Sequence, residues 1–248
     1  MHNRPAFRLK TTCVGWNLFL SGSSLAGFLV MFFSQPSLVV RPVLPEPEFT
    51  PAVRAVICCF TLSKAIEYGD TVLLALKKKP LIFLHLYHHV TVTLYCWHAQ
   101  LVRVSVGHYF AFINLGIHAW MYLYYGLAVL FPRHPVLRSW RPLITVSQIL
   151  QMCVGLCVAA YALTQGLPAD EHFNAAVAVA MYISYAFLFV RFFLDSYGAH
   201  EEGRRKVTAE KISFQIRVNE TFRVGSGKMC TSPSPWRILR TDSRFLAA

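Results

Sequence analysis

The chain has 248 residues, of which 55% are hydrophobic and only 15% are charged. Soluble domains carry about 25% charged residues, so this composition excludes an ordinary soluble protein and indicates an integral membrane protein. The formal charge of +12 lies in short loops and in the C-terminal stretch, without a soluble nucleic-acid-binding motif. That pattern is typical of loops that orient a membrane protein, and it also suits an anionic ligand on the basic side.

Six apolar segments are long enough, or nearly so, to cross the roughly 30 Å hydrocarbon core of a bilayer as helices. In chain order they are residues 12–33, 51–76, 81–99, 106–131, 143–163 and 173–196. Pro80 and Pro142 predict sharp starts for the third and fifth helices. We predict an all-α membrane domain of six transmembrane helices over residues 1–198, followed by a basic, disordered cytosolic tail over residues 199–248.

Basic residues alternate between the predicted loops. They are concentrated at Arg4, Arg8 and Lys10, at Lys77–Lys79, at Arg133, Arg138 and Arg141, and at Arg204–Lys206. All of these fall on one side if there are six spans and both termini are cytosolic, which agrees with the excess of Lys and Arg in cytosolic loops.

Ionisable residues also occur inside the apolar segments, where a charge at mid-bilayer costs about 2.5–3.5 kcal/mol on insertion scales. The second segment carries Lys64, Glu67 and Asp70 at helical spacing. An ion-pair cluster that only ties helices together is one interpretation of these three. The third segment carries His85, His88 and His89 on one side of a helix, and three histidines in one stripe are hard to explain by packing alone.

The later segments continue the pattern of polar stripes. Asn114, His118, Tyr122 and Tyr125 follow one face of the fourth helix, and Gln148 and Gln151 follow one face of the fifth. We therefore predict a polar, protein-lined chamber within the bilayer. Such a chamber suits a catalyst, a transported solute or a metal ion.

Two alternatives use the same residues. A single zinc ion could be held by three imidazoles with an open position, whereas the scattered remainder of the ten histidines does not suit a di-iron site. A small transporter would also bind its solute near the midplane, but its inverted repeats or broken helices are not visible in the sequence.

Four motifs resemble those of the ELO family of very-long-chain fatty acid elongases, in the same order and at similar separations. They are Lys64-x-x-Glu67-x-x-Asp70-Thr71, His85-x-x-His88-His89, His118-x-x-Met121-Tyr122-x-Tyr124-Tyr125 and Thr145-x-x-Gln148-x-x-Gln151. Residues 81–92 are most similar to the branch that handles saturated and monounsaturated acyl chains. Family members usually have seven helices, and this chain resembles such a bundle without its first helix.

The resemblance implies an enzyme of the endoplasmic reticulum that condenses a long-chain acyl-CoA with malonyl-CoA to 3-oxoacyl-CoA, CO2 and CoA. It implies no further cofactor and no metal. The expected fold encloses the polar chamber and an acyl tunnel. The expected partners are the lipid bilayer, the reductases and dehydratase of an elongation cycle, and a second copy of the chain, but no nucleic acid.

The resemblance also implies roles for individual residues. His88 would be the nucleophile that forms an acyl-imidazole, His85 and His89 would orient it, and His118 would act across the chamber. The predicted substrate-binding residues are Lys64, Glu67, Asp70, Asn114, Tyr122, Tyr125, Gln148, Gln151 and Arg191.

Overall fold

The computed structural model describes residues 7–198, and all regular secondary structure in that range is helical. The helices are α1 (Lys10–Ser34), α2 (Pro51–Ile66), α3 (Tyr68–Leu76), α4 (Phe83–Val102), α5 (Gly107–Leu130), α6 (Pro135–Leu163) and α7 (Ala169–Phe193). The predicted all-α fold is thereby confirmed for these residues. The predicted tail, residues 199–248, lies outside the described residues.

Four helices of the described part are long and apolar enough to cross a membrane: α1, α5, α6 and the stretch Ala169–Tyr197 that begins with α7. The third predicted span corresponds to α4, which has 20 residues and carries the histidine trio. The second corresponds to α2 and α3, with 16 and 9 residues. The protein is therefore a multi-pass membrane protein, and the count of six spans stays a prediction.

The second apolar segment is not one helix, as predicted, but two. α2 ends at Ile66 and α3 begins at Tyr68, with Glu67 in a turn between them. The sequence pattern does not reveal this break, because Lys64, Glu67 and Asp70 keep the same helical spacing of three residues across it. Thr50 caps the start of α2, since its hydroxyl oxygen accepts a hydrogen bond from the backbone N–H of Val53 at 3.3 Å.

The predicted start of the fifth helix at Pro142 was wrong. α6 begins at Pro135, where a proline in the first turn costs no hydrogen bond, and continues through Pro142. An internal proline removes one backbone donor, and long membrane helices tolerate such a loss. Pro80 does precede a helix start as predicted, because α4 begins at Phe83.

The helices pack around three apolar clusters. One cluster joins α1 to α5 and the loop that follows α1, and it includes Met31, Leu44 and Phe112. A second joins α1, α5 and α6 around Leu20, and the third lies among α4, α5, α6 and α7. In this third cluster the ring of Tyr182 lies directly against the backbone of α6 at Gly155.

Hydrogen bonds between side chains connect α4 to α7 along their length. The hydroxyl oxygens of Tyr87 and Ser184 are 3.0 Å apart. Further along, the Tyr95 hydroxyl donates to Asn174 Oδ1 at 2.8 Å, and Asn174 Nδ2 lies 2.9 Å from His98 Nδ1. Hydrogen bonds of this kind hold helices together where lipid provides no hydrophobic driving force.

The chain divides into two compact units, residues 1–191 and residues 192–248. All site residues described below belong to the first. The second is described only over residues 192–198, which comprise the end of α7 and the π-helical turn Leu194–Gly198.

Candidate active site

A buried ion pair lies where α2 gives way to α3. Lys64 is 2% exposed and Glu67 is 4% exposed, and their Nζ and Oε1 atoms are 2.8 Å apart. Lys64 Nζ also donates to Asn114 Oδ1 at 3.1 Å and lies 4.2 Å from the centre of the Phe60 ring. His118 Nδ1 is 3.9 Å from Glu67 Oε1. The ion pair thus links α2 to two predicted site residues of α5.

One oxygen of Glu67 remains available. Among the described residues, Glu67 Oε2 has no hydrogen-bond partner, whereas Oε1 also accepts from the Ser63 hydroxyl at 3.2 Å. An unsatisfied buried acceptor costs about 1–3 kcal/mol. Such a cost is expected at a site that receives a donor from a substrate or from a moving side chain.

The three histidines of α4 lie side by side, as predicted. The ring centres of His85 and His89 are 4.4 Å apart, and those of His88 and His89 are 5.6 Å apart. Thr71 of α3 contacts the trio through its hydroxyl, which is 2.8 Å from His85 Nε2. This contact holds the orientation of the His85 ring, and it suits either tautomer because a hydroxyl both donates and accepts.

One wall beside His88 comes from α7. The ring centre of Tyr185 is 4.9 Å from that of His88, and the Tyr185 hydroxyl lies 2.6 Å from the Thr91 hydroxyl. Neither Tyr185 nor Thr91 is among the site residues predicted from the sequence. The spacing of Thr91 from His88 on α4 was the available signal.

Asp70 accepts two short hydrogen bonds from other helices. Its Oδ1 accepts from Trp16 Nε1 at 2.7 Å and its Oδ2 accepts from the Tyr122 hydroxyl at 2.7 Å. The Tyr122 ring lies edge-on to His118, with ring centres 5.4 Å apart. Trp16 was not predicted as a site residue, and no motif marks it.

The four remaining predicted site residues are Tyr125, Gln148, Gln151 and Arg191. Gln148 Nε2 lies 3.1 Å from the Met121 sulfur, and Gln151 is buried at 8% exposure. Tyr125 is 42% exposed, and Arg191 is exposed on α7. In the part of the chain that the structure describes, no three His, Cys, Asp or Glu side chains are grouped to hold a metal ion.

A cavity of about 390 Å³ lies between α2, α4 and α5. Phe60, Tyr95 and Cys96 line the part closer to Lys64. Arg54 and Gln100 lie towards the opposite end, near the start of α2 and the end of α4. The lining therefore changes from aromatic and apolar to charged along the bundle.

Helices of membrane-spanning length and a buried centre of histidines, a lysine and a glutamate define a multi-pass membrane protein with a polar centre inside its bundle. The family model described as GNS1/SUR4, or ELO, matches residues 1–206 of the chain. The chain therefore belongs to the ELO family, as the motifs predict.

Proteins from distant organisms are similar to the chain. Fatty acid elongase 3 of Trypanosoma brucei brucei is 33% identical, in a match that covers 89% of this chain and 83% of that protein. The human very long chain fatty acid elongase 6 is 37% identical over 79% of this chain and 77% of its own length. Its Drosophila melanogaster counterpart is 33% identical, over 82% and 69%.

Proposed function

We propose that the protein elongates fatty acids by condensing a long-chain acyl-CoA with malonyl-CoA. Membership of the ELO family and the elongase names of its relatives support fatty acid elongation. The observation that carries the condensation step is the buried centre itself, in which His118 lies 3.9 Å from Glu67 of the Lys64–Glu67 pair and Thr71 of the next helix contacts the α4 histidines. The reaction takes up one proton and yields 3-oxoacyl-CoA, CO2 and free CoA.

His88 is the proposed nucleophile. A neutral imidazole nitrogen attacks the thioester carbonyl carbon, the C–S bond breaks, and the imidazole N–H proton passes to the CoA thiolate. The acyl group is then bound to the histidine as an acyl-imidazole. His89 and His85 lie next to His88 on the same helix, and Thr71 holds His85 from α3, so the trio is suited to orient the attacking ring.

The second half-reaction forms the carbon–carbon bond. Malonyl-CoA loses CO2, and the resulting enolate carbon attacks the acyl carbon while the His88 nitrogen leaves and is reprotonated. Negative charge on the enolate and on the tetrahedral oxygen needs donors in a dry site. Asn114 and His118 are the proposed donors, because the phenolic hydrogen of Tyr122 is already donated to Asp70.

The basic end of the bundle suits CoA, and the cavity suits the acyl chain. Lys77–Lys79 and the α5–α6 connection supply cations for the CoA phosphates. The residues at the end of α4 that line the cavity run from Tyr95 to Arg103, which is about 12 Å at roughly 1.5 Å per residue. An extended hydrocarbon advances about 1.3 Å per methylene for C–C bonds of about 1.5 Å, so this length accommodates about nine methylenes of a saturated or monounsaturated chain.

The cellular setting follows from the same assignment. We place the protein in the membrane of the endoplasmic reticulum with six spans and both termini cytosolic, so that the CoA end faces the cytosol. The 3-oxo product then requires reduction, dehydration and a second reduction, and enzymes of those classes are the proposed partners. No cofactor beyond the two CoA substrates is needed for the condensation.

The test of the nucleophile is a condensation assay on the purified chain. Long-chain acyl-CoA and radiolabelled malonyl-CoA are incubated without NADPH, and labelled lipid products are followed. Labelled 3-oxoacyl-CoA is expected from the wild type and from the exposed control His172→Ala, and none from folded His88→Ala. Near-normal turnover in His88→Ala would remove His88 from its assigned role.

The acyl site has a separate test. Ala99 lines the cavity, whereas Ala160 is an exposed alanine of α6, so Ala99→Phe and Ala160→Phe are a matched pair. Filling the cavity should shift the preferred acyl-CoA to shorter chains in Ala99→Phe alone, because each excluded methylene forfeits about 0.8 kcal/mol of burial. An unchanged chain-length profile would contradict the placement of the acyl chain.

A further inference from the structure

Three helices converge on the carboxylate of Asp70. It belongs to α3, one of its donors is Trp16 of α1, and the other is Tyr122 of α5. Both donor–acceptor distances are 2.7 Å, in the range of charge-assisted hydrogen bonds. The contact therefore locates α3 relative to two neighbours, although α3 is separated from α2 by the turn at Glu67.

Gly69 makes the approach of Trp16 possible. A Cβ atom at Gly69 would overlap Cζ2 of the Trp16 ring, closer than real Cβ atoms approach their neighbours. The indole thus lies against the backbone of α3, next to the carboxylate that accepts its N–H. Gly69 and Asp70 are adjacent in α3, and both serve the contact with Trp16. Gly69 leaves room for the ring because it has no side chain, and the Asp70 carboxylate accepts the indole N–H.

The position of α3 bears directly on the histidines. Thr71 follows Asp70 in sequence and holds His85 by the 2.8 Å contact described above, and the Tyr122 ring packs against His118. A shift of α3 would change both of these contacts. The indole N–H is the one hydrogen-bond donor of the Trp16 side chain, and it is donated to Asp70 and not to His85 or His118. The influence of this hydrogen bond on the two imidazoles therefore passes through α3 or Tyr122.

We propose that Trp16 and Asp70 form a clamp that positions α3, and through it Thr71 and Tyr122, for the reaction at the histidines. Trp16 is then a positioning residue and not a catalytic one. The expected effect of Trp16 on turnover rests on the proposed condensation, whereas its expected effect on the surroundings of His85 is independent of that reaction. Loss of the indole N–H should slow turnover without weakening substrate binding, because the substrate contacts remain.

The test compares Trp16→Phe and Gly69→Ala with Trp97→Phe, which makes the same aromatic exchange at a side chain that is 47% exposed on α4. In the full chain, Trp16→Phe and Gly69→Ala should lower kcat by about tenfold or more with KM for both CoA substrates nearly unchanged. Trp97→Phe should match the wild type in both constants. A wild-type kcat in folded Trp16→Phe, or equal losses in the control, would overturn the proposal.

A second readout does not require condensation activity. Diethyl pyrocarbonate labels accessible imidazole nitrogens, and peptide mass mapping follows the rate at His85. The rate should rise severalfold in Trp16→Phe and Gly69→Ala and stay at the wild-type value in Trp97→Phe. If the wild type makes no 3-oxoacyl-CoA, the proposed function is contradicted, but the labelling rates at His85 still test the clamp. Unchanged labelling, or unfolding of both clamp variants, would overturn the clamp as a positioning device.

Discussion

Replacing Lys64 by methionine tests the energetics of the buried centre. The side chains of Lys64 and Glu67 are 2% and 5% exposed, so removal of the ammonium leaves a carboxylate inside the protein without its cation. Removing one partner of a buried ion pair costs about 3–5 kcal/mol, much more than an exposed ion pair contributes to stability. We expect Lys64→Met to lower the free energy of unfolding by that amount.

The double variant Lys64→Met/Glu67→Gln separates lost charge from lost packing. Glutamine keeps the shape of Glu67 and can still accept from the Ser63 hydroxyl, but it carries no charge to be stranded. Removing both charges of a buried pair is often close to neutral. The double variant should therefore recover about half or more of the stability that the single variant loses.

The assay is thermal unfolding of the detergent-purified chain, followed by loss of helical circular dichroism. For domains of 150–250 residues, about 1 kcal/mol corresponds to about 2–4 °C, so Lys64→Met should melt about 6–20 °C below the wild type. Lys10→Met, which removes an exposed lysine at the start of α1, is the control and should melt within a few degrees of the wild type. A wild-type midpoint in Lys64→Met, or no recovery in the double variant, would refute this account of the pair.

Two further changes probe the packing of α7. A Cβ atom at Gly155 would lie 2.5 Å from the Tyr182 ring, so Gly155→Ala should lower the free energy of unfolding by about 1–3 kcal/mol. Gly15 has open space around it, so Gly15→Ala is the control and should not destabilise the protein. Equal melting temperatures of the two variants would contradict the contact between Tyr182 and α6. Asn174→Leu removes the partner of the buried Tyr95 hydroxyl and should cost about 1–3 kcal/mol, measured by the same unfolding experiment. If Asn174→Leu is as stable as the wild type, these hydrogen bonds do not hold α7 to α4.

The sequence was sufficient to locate the helices because lipid imposes a simple length and polarity rule. Each predicted apolar segment corresponds to helix in the structure, and α4 begins just after Pro80 as expected. The rule was insufficient at Pro142, which α6 passes through. Proline alone does not terminate a helix whose other backbone bonds and packing remain.

The histidine trio was predictable for a related reason. Helical spacing of three and four places His85, His88 and His89 on one side whatever the neighbours are, and their ring separations agree. Tyr125 belonged to a similarly spaced stripe and yet is 42% exposed. Spacing determines which residues share a face of a helix, but it does not determine how much of that face the neighbouring helices cover.

The sequence by itself determined the class of the protein, the helical segments and the chemical groups of the centre, because these depend on local composition and on helix geometry. Tertiary structure decided which groups meet. Trp16 and Asp70 are 54 residues apart in sequence, and Lys64 and Asn114 are 50 apart, and no periodicity relates them. Contacts between helices depend on how the whole bundle packs, and that packing also places the turn at Glu67 and turns Tyr122 towards Asp70.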